Sequence, residues 1–141
     1  MSGSNEKILA LTGINALYKN QDELVSLFHE TLKTGMHGIC FSHYLEGQQP
    51  GTQLTEDQIR ERIEIIKPYT NWVRTFSCTE GNELIPRIAH EKGLKTMVGA
   101  WLGTNEEINE REIANLIQLA KEGYADIIAI GNEVMYRGDL T

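Results

Sequence analysis

The residues best suited to chemistry lie at the end of an apolar run near the C-terminus of the sequence. Residues 125–132 read ADIIAIGN, and Glu133 follows them directly. An apolar, β-branched run of this kind predicts a buried strand. A carboxyl group that leaves such a strand is expected to enter a partly desolvated cleft, where its neutral form is favoured, so Glu133 is a candidate general acid. The alternative is an ordinary strand-end acid that bonds to a neighbouring loop.

Other polar and aromatic side chains stand at the ends of three further apolar runs. They are Ser42, His43 and Tyr44 after the first run, Arg74, Phe76 and Ser77 in and after the second, and Trp101 after the third, with Asn132 and Tyr136 on either side of Glu133. Aromatic rings that stack on sugar faces, together with groups that bind sugar hydroxyls, indicate a carbohydrate site. A phosphate site would need more arginine than Arg74 alone.

Three of these candidates have a second interpretation that the sequence leaves open. Trp101 and Phe76 could be core aromatics, because aromatic side chains on apolar strands are commonly buried. Arg74 lies inside a predicted strand, where a guanidinium needs acceptors. It could orient Glu133, or it could belong to an internal ion pair.

The elements that must position these side chains repeat one unit, a helix followed by a strand. Apolar residues at helical spacing predict a helix from about residue 21 to 33, with a capping box of Asn20 and Glu23. Three more helices are predicted to begin at the N-caps Thr55, Asn82 and Thr104. The predicted strands are residues 36–41, 72–76, 94–101 and 125–132.

The predicted sheet is parallel and covered on both faces. MVGA and DIIAIG are nearly continuous apolar runs without the alternation of a one-sided sheet. Helices between strands imply right-handed crossovers, hence a doubly wound sheet or part of a (β/α)8 barrel. The segment after the first strand, SHYLEGQQPGTQ, lacks the glycine-rich turn of a nucleotide binder, which favours the barrel. The predicted fold is therefore α/β: half of a (β/α)8 TIM barrel, with about four parallel strands, preceded by an N-terminal helix.

Length and composition limit the domain organisation and the partners. The chain has 141 residues, 40% of them hydrophobic and 23% charged, which is typical of one globular domain. We expect a leader over residues 1–19 and a single half-barrel domain over 20–141. The net charge of −7 argues against nucleic acid, and no run approaches the ~20 apolar residues of a membrane span. The apolar stretch at residues 8–11 is too short for a secretion signal, so the expected localisation is cytoplasmic.

No cofactor or metal is expected from the sequence. Cys40 and Cys78 each end an apolar segment and are interpreted as buried structural thiols. The histidines share no metal-ligand spacing. The acidic run NEEINERE at residues 105–112 lacks the alternation of a calcium loop, and we expect it to be a solvated first helical turn.

Four segments of the chain together resemble a known enzyme family. GICFSHY, WVRTFS, KTMVGAWLG and DIIAIGNEV look like strands one to four of glycoside hydrolase family 17, the β-1,3-glucanases and β-1,3-glucan transglycosylases of a retaining (β/α)8 superfamily. The resemblance runs from about Gly35 to the last residue. It implies that Glu133 is the acid/base and that Asn132 contacts the sugar at the reacting subsite. Arg74 and Phe76 match the arginine-x-aromatic pattern of strand two.

The sequence departs from this family in one respect that concerns catalysis. The family nucleophile is a second glutamate at the end of strand seven, and a full barrel takes about 250 residues. Retaining chemistry requires two carboxylates about 5 to 5.5 Å apart. Glu46 and Glu80 follow the first and second strands and do not match the nucleophile's position. The resemblance therefore implies the N-terminal half of a β-1,3-glucan hydrolase or transglycosylase, which is expected to be inactive alone.

Two alternatives to an enzyme half remain at this point. The chain could be a non-catalytic half barrel that binds glucan oligosaccharides through Tyr44, Arg74, Trp101 and Asn132, or that only assembles. Because a half barrel leaves the edges of its first and fourth strands bare, a homodimer through these two edges is expected. The chain could also be a piece of a longer protein, since YRGDLT ends it directly after the candidate acid motif.

Overall fold

The computed structural model describes residues 16–140 as alternating helices and strands. The helices are α1 (Gln21–Thr34), α2 (Glu56–Ile66), α3 (Leu84–Glu91), α4 (Glu106–Lys121) and α5 (Val134–Arg137), and the strands are β1 (Ile39–Cys40), β2 (Trp72–Arg74), β3 (Lys95–Ala100) and β4 (Ile127–Ile130). Short 3-10 turns span Ala16–Tyr18 and Lys67–Tyr69. The chain divides into two compact units between Thr34 and Gly35. The predicted domain bounds at 19 and 20 stay a prediction.

The first unit contains the predicted N-terminal helix. The peptide N–H of Glu23 donates to Asn20 Oδ1 at 3.0 Å, and the peptide N–H of Asn20 donates to Glu23 Oε2 at 2.9 Å. The predicted capping box is therefore confirmed, and α1 begins at Gln21 as expected. The predicted leader falls outside the described residues except for 16–19, and so does the apolar stretch at 8–11.

The second unit is built on a parallel sheet whose strands are adjacent in chain order. The order is β1-β2-β3-β4, and every pair is parallel. Val73 pairs with Ile39 on one side and with Thr96 on the other, and Gly99 pairs with Ala129. A doubly wound sheet would reverse its strand order at a switch point, whereas a barrel wall keeps strands in sequence. The predicted half-barrel arrangement of four parallel strands is confirmed.

Two apolar clusters attach the helices to one face of this sheet. The first joins α2 and α3 to β1 and β2, and its members are Phe41, Leu54, Ile59, Ile63, Val73, Ile85, Ile88, Ala89 and Leu94. The second joins α4 to β3 and contains Cys78, Val98, Ala100, Leu116 and Leu119. Full burial of a side chain such as Ile59 or Ile63 contributes about 1.5–3 kcal/mol to the free energy of folding. These clusters fix where the carboxyl ends of the strands lie.

The expectation that β4 is covered on both faces is wrong for the described residues. Ile127, Ile128 and Ile130 are 43%, 51% and 59% exposed. Within residues 16–140, β4 pairs with β3 alone and forms an edge of the sheet. The apolar run predicted the strand correctly, but it did not predict the exposure of its side chains.

The two cysteines differ from each other. Cys78 is fully buried, and its thiol donates to Gly99 O at 3.2 Å; burial raises the pKa of this thiol to about 12. Cys40 is exposed, so its prediction as a buried thiol is wrong. Successive strand residues point to opposite faces, and Ile39 and Phe41 take the helix-covered face, which leaves Cys40 on the other.

Two of the predicted helix caps have different outcomes. The Thr55 hydroxyl accepts a hydrogen bond from the peptide N–H of Gln58 at 3.3 Å, which confirms Thr55 as the N-cap of α2. The prediction of Thr104 as a cap is wrong by one residue. The side chain of Asn105 accepts from the peptide N–H of Ile108 at 3.1 Å instead.

Among the described helices, none is both long and apolar enough to cross a membrane.

Candidate functional site

A cavity of about 530 Å³ lies at the carboxyl ends of the first three strands. Six of the residues predicted from the sequence line it, namely Ser42, His43, Tyr44, Phe76, Ser77 and Trp101. The loops that follow β1, β2 and β3 supply these side chains, as expected for parallel strands that end on one face. Trp101 is 40% exposed and Phe76 half-buried, so neither is a fully buried core residue.

A second, shallow depression beside the cavity holds two more of the predicted residues. Arg74 Nη2 donates to Asn132 Oδ1 at 3.0 Å, and the guanidinium carbon lies 4.7 Å from the centre of the Phe76 ring. Phe76 lines both the cavity and the depression. Arg74 therefore orients Asn132 rather than Glu133, and it forms no ion pair among the described residues. Its buried Nε has no hydrogen-bond partner there.

The contact between Arg74 and Asn132 crosses β3, which separates their strands. Gly99 of β3 and Ala129 of β4 line the depression between them. A Cβ atom at position 99 would lie 2.6 Å from the carbonyl oxygen of Thr75, closer than a Cβ atom approaches a non-bonded oxygen. Glycine is thus required at position 99, and the small residues leave the sheet surface open between the two partners.

Glu133 occupies an unusual backbone conformation at the start of α5. Its φ is +54°, in the left-handed region, and its side chain is exposed. Such a conformation costs a non-glycine residue about 1–3 kcal/mol and is concentrated at functional sites. The Glu133 carboxylate makes no hydrogen bond or ion pair within the described part of the chain, so the bond to a neighbouring loop is not found. The desolvated cleft is also not found here, because β4 is an edge strand.

A buried carboxylate that the sequence analysis missed lies below the cavity. Glu112 of α4 is 2% exposed. It accepts hydrogen bonds from Ser77 Oγ at 2.5 Å, the peptide N–H of Cys78 at 2.6 Å, Thr79 Oγ1 at 2.7 Å and the peptide N–H of Trp101 at 3.2 Å. One side chain therefore joins α4 to the loops after β2 and β3.

The position of Glu112 corrects the interpretation of the acidic run at residues 105–112. Only its earlier acids, such as Glu106 and Glu107, are exposed as expected. Glu112, Leu116 and Leu119 follow one another at helical spacing and share the buried face of α4. This spacing was the signal in the sequence that could have identified Glu112 as buried.

His43 and Tyr44 form a tilted ring pair in the cavity wall, with 54° between the ring planes. Their ring centres lie 4.2 Å apart. His43 is 4% exposed, neither ring nitrogen has a partner among the described residues, and burial lowers the pKa of His43. Burial raises the pKa of Tyr44; the charge of Glu80 adds to this shift, and a hydrogen bond with Asn82 opposes it. Both rings are therefore neutral at pH 7.

Glu80 and Asn82 are further cavity residues that sequence reasoning did not assign to the site. Glu80 has a φ of +59°, and its Oε2 accepts from the peptide N–H of Gly51 at 2.8 Å, which ties the loop after β2 to the loop after β1. Asn82, predicted as a helix cap, donates from Nδ2 to Thr79 O at 2.7 Å instead. The N-cap of α3 is Glu83, which makes no side-chain cap bond.

The remaining predictions concern Tyr136 and metals. Tyr136 is 90% exposed and lines neither the cavity nor the depression. Its substrate-binding role stays a prediction. Residues 16–140 contain no cluster of three or more histidine, cysteine or acidic side chains suited to a metal ion.

Comparison with known proteins agrees with the resemblance to family 17. A glucan 1,3-beta-glucosidase of Schizosaccharomyces pombe is 28% identical over 92 residues, which are 61% of this chain and 28% of that protein. A glycoside hydrolase family 17 beta-1,3-glucanosyltransferase from Rhizomucor miehei matches with a TM-score of 0.59 and 26% identity. An active-site mutant of the Rhizomucor miehei enzyme, in complex with laminaritriose, matches equally well.

These matches cover only part of each relative's own length. The structural match covers 77% of this chain but 41% of the Rhizomucor chain. The chain therefore spans less than half the length of these relatives. Residues 38–141 match the family model of the BtgE/BtgC glycoside hydrolase domain, which is most of the sequence. The chain belongs to the BtgE/BtgC glycoside hydrolase domain family.

Proposed function

We propose that this chain is the N-terminal half of a retaining β-1,3-glucan hydrolase or transglycosylase. The observation that carries the proposal is the hydrogen bond between Arg74 and Asn132, directly before Glu133 and next to the cavity. The oriented amide of Asn132, the exposed carboxylate of Glu133 and the aromatic cavity all lie at the carboxyl end of one sheet. The glucan-acting relatives support β-1,3-glucan as the substrate class.

Arg74 determines which half of the Asn132 amide is available to a ligand. Because Asn132 Oδ1 accepts from Arg74, its Nδ2 group remains to donate a hydrogen bond. A sugar hydroxyl can accept that bond. In retaining glycosidases, hydrogen bonds to the 2-hydroxyl strengthen as the sugar approaches the oxocarbenium-like transition state. Asn132 would thus contribute to catalysis beyond binding.

Glu133 would act as the acid/base. As general acid it would protonate the glycosidic oxygen that leaves, and as base it would later take a proton from water or from an acceptor hydroxyl. The Glu133 carboxylate is exposed and has no partner among residues 16–140, which suits it to both steps. The covalent step needs a second carboxylate about 5 to 5.5 Å away.

Other acids in the described site are poorly suited to the nucleophile's role. Both oxygens of Glu112 accept hydrogen bonds and are buried. Glu80 is bound to the backbone of Gly51, after β2 rather than at a seventh strand. We therefore assign the nucleophile to a further polypeptide segment and predict that this chain binds glucan without turning it over.

The cavity would hold the glucan chain. Its volume of about 530 Å³ lies within the range of about 300–1,000 Å³ of ligand pockets. Trp101 and Tyr44 offer aromatic faces for sugar rings, and Ser77, Thr79 and Glu80 offer polar atoms for hydroxyls. This mixture of aromatic and polar groups fits an oligosaccharide better than an apolar ligand.

Calorimetric titration with laminarihexaose tests the proposal. We expect binding by the wild-type chain, no binding of cellohexaose, and roughly tenfold weaker binding by Asn132→Asp, which keeps a partner for Arg74 but loses the donor. Asn71→Asp is the matched control, because Asn71 is exposed near the opposite end of β2. Absence of laminarihexaose binding would contradict the proposal. So would rapid laminarin hydrolysis that Glu133→Gln abolishes, since the chain would then be catalytically complete.

The exposed isoleucines of β4 favour a second candidate function, self-assembly. Three of the four residues of β4 are large, apolar and 43% to 59% exposed. A two-fold dimer that pairs β4 of each copy with β1 of the other would cover them. Sedimentation would distinguish this candidate, because a monomer at micromolar concentration is incompatible with it.

A further inference from the structure

Arg137, at the end of α5, contacts the loops after β3 and β4 at the same time. Its Nη2 donates to Leu102 O at 2.6 Å, and its Nη1 donates to Asn132 O. Its Nε donates to the Asp139 carboxylate at 2.7 Å. Its guanidinium carbon lies 4.3 Å from the centre of the Trp101 ring. Sequence reasoning did not identify this residue.

We propose that Arg137 is a positioning residue that holds Trp101 and the Asn132–Glu133 turn in a fixed relation. The guanidinium covers one face of the indole, so a sugar can stack only on the opposite face. The same guanidinium binds the carbonyl group of Asn132, directly before Glu133. The ring that would carry the sugar and the carboxylate that would protonate it therefore share one support. The sugar-binding part of this inference rests on the proposed function.

The backbone of Arg137 strengthens this support. Its peptide N–H donates to Glu133 O at 2.9 Å, so α5 begins directly after the left-handed residue. Both the main chain and the side chain of Arg137 thus hold the turn that carries Glu133. A strained φ persists only where surrounding contacts determine it. Arg137 supplies such contacts from one residue.

Lysine cannot replace arginine in this arrangement. Three guanidinium nitrogens donate in one plane, to two carbonyl groups and a carboxylate, while the flat face of the group stacks on Trp101. A lysine ammonium is a single point charge without a planar face. Arg137→Lys therefore keeps the charge but removes the fixed geometry. This makes it a specific test of positioning rather than of electrostatics.

Tryptophan fluorescence can test the inference without ligand. The sequence has two tryptophans, so Trp72→Phe leaves Trp101 as the only emitter. In that background we compare Arg137→Lys with Arg111→Lys, an exposed control on α4. We expect Arg137→Lys to make Trp101 more accessible to acrylamide and to speed amide hydrogen exchange over residues 131–138. The control should change neither, and thermal unfolding should verify that every variant is folded.

Laminarihexaose titration of the same variants tests the sugar-binding part. We expect Arg137→Lys to weaken binding about two- to fivefold, the loss that one cation–π contact corresponds to. Unchanged quenching and exchange would overturn the positioning role, and unchanged affinity would overturn its link to the ligand. If even the wild-type chain does not bind, the proposed function fails, while quenching and exchange still decide the role of Arg137.

Discussion

Gly99 packs so closely against the backbone of Thr75 and Phe76 that it has no room for a side chain. A methyl group at position 99 would collide with the carbonyl group of Thr75, which belongs to the backbone and cannot move aside cheaply. We expect Gly99→Ala to lower the free energy of unfolding by about 1–3 kcal/mol, as overpacking does. Urea denaturation measures this change. Gly103→Ala is the control, because a Cβ atom there meets nothing within 4 Å; equal losses in both variants would contradict the account.

The buried Glu112 gives a second prediction about single residues. Glu112→Leu would leave the peptide N–H groups of Cys78 and Trp101 without acceptors, each at about 1–3 kcal/mol. Glu112→Gln can keep the arrangement, since its carbonyl oxygen accepts from the two N–H groups while its amide donates to the hydroxyls of Ser77 and Thr79. We expect chemical denaturation to show a large loss for leucine and less than about half of it for glutamine. Comparable losses would indicate that the charge itself is required.

The residues of the site differ in how far the sequence could reveal them. Tyr44, Phe76 and Trp101 were predicted because they follow apolar strands, and their position depends only on where a strand ends. Arg137 could not be found in this way, because its contacts depend on how α5 turns back over Trp101 after a left-handed residue. The order of residues along the chain does not indicate that α5 will fold back over Trp101.

The helices and strands were predicted best where the signal is local. The capping box of Asn20 and Glu23 joins residues three positions apart, and it formed as expected. Asn82 has the right residue type for a cap, but its amide bonds to Thr79 O in the preceding turn. The exposure of β4 depends on what packs against it, and residue periodicity cannot predict this.

Asp126 links the start of β4 to α3 and β3 and gives a prediction at the scale of elements. It accepts hydrogen bonds at 2.9 Å from the peptide N–H of Thr96 and from His90 Nε2. Burial alone would raise the pKa of Asp126, but the bonds from Thr96 and His90 outweigh it, and the pKa lies below its usual value. The folded protein therefore holds the charged form more strongly than the unfolded chain does.

The sign of this shift determines the pH dependence of stability. A depressed carboxyl pKa contributes stability above the unfolded pKa, near pH 4, which is lost as the pH falls through the folded value. We expect Asp126→Asn to be less stable than wild type at pH 7 and to lose less stability on acidification. Urea unfolding between pH 7 and about pH 2.5 measures both. If the free energies of unfolding of wild type and Asp126→Asn fell in parallel as the pH was lowered, the stabilising role of the charged Asp126 would be contradicted.

At the scale of the whole molecule, the sheet has the order of a barrel wall, and within residues 16–140 no further strand pairs with β1 or β4 at its two edges. The four strand motifs were sufficient to predict the strand order, because helices between parallel strands permit few arrangements. They could not predict that Arg74 and Asn132 line a depression separate from the cavity, with Phe76 in the wall of both. The shape of these depressions depends on the paths of the loops, and loop lengths do not determine those paths. The homodimer stays a prediction.

The structure of this chain with bound laminarihexaose tests the central claim most directly. We predict a sugar ring stacked on the face of Trp101 that Arg137 leaves free, and a sugar hydroxyl within hydrogen-bond distance of Asn132 Nδ2. The Glu133 carboxylate should face the adjoining glycosidic oxygen. A glucan bound away from the cavity, or one that leaves Asn132 and Glu133 without contacts, would contradict the assignment of this half barrel to β-1,3-glucan chemistry.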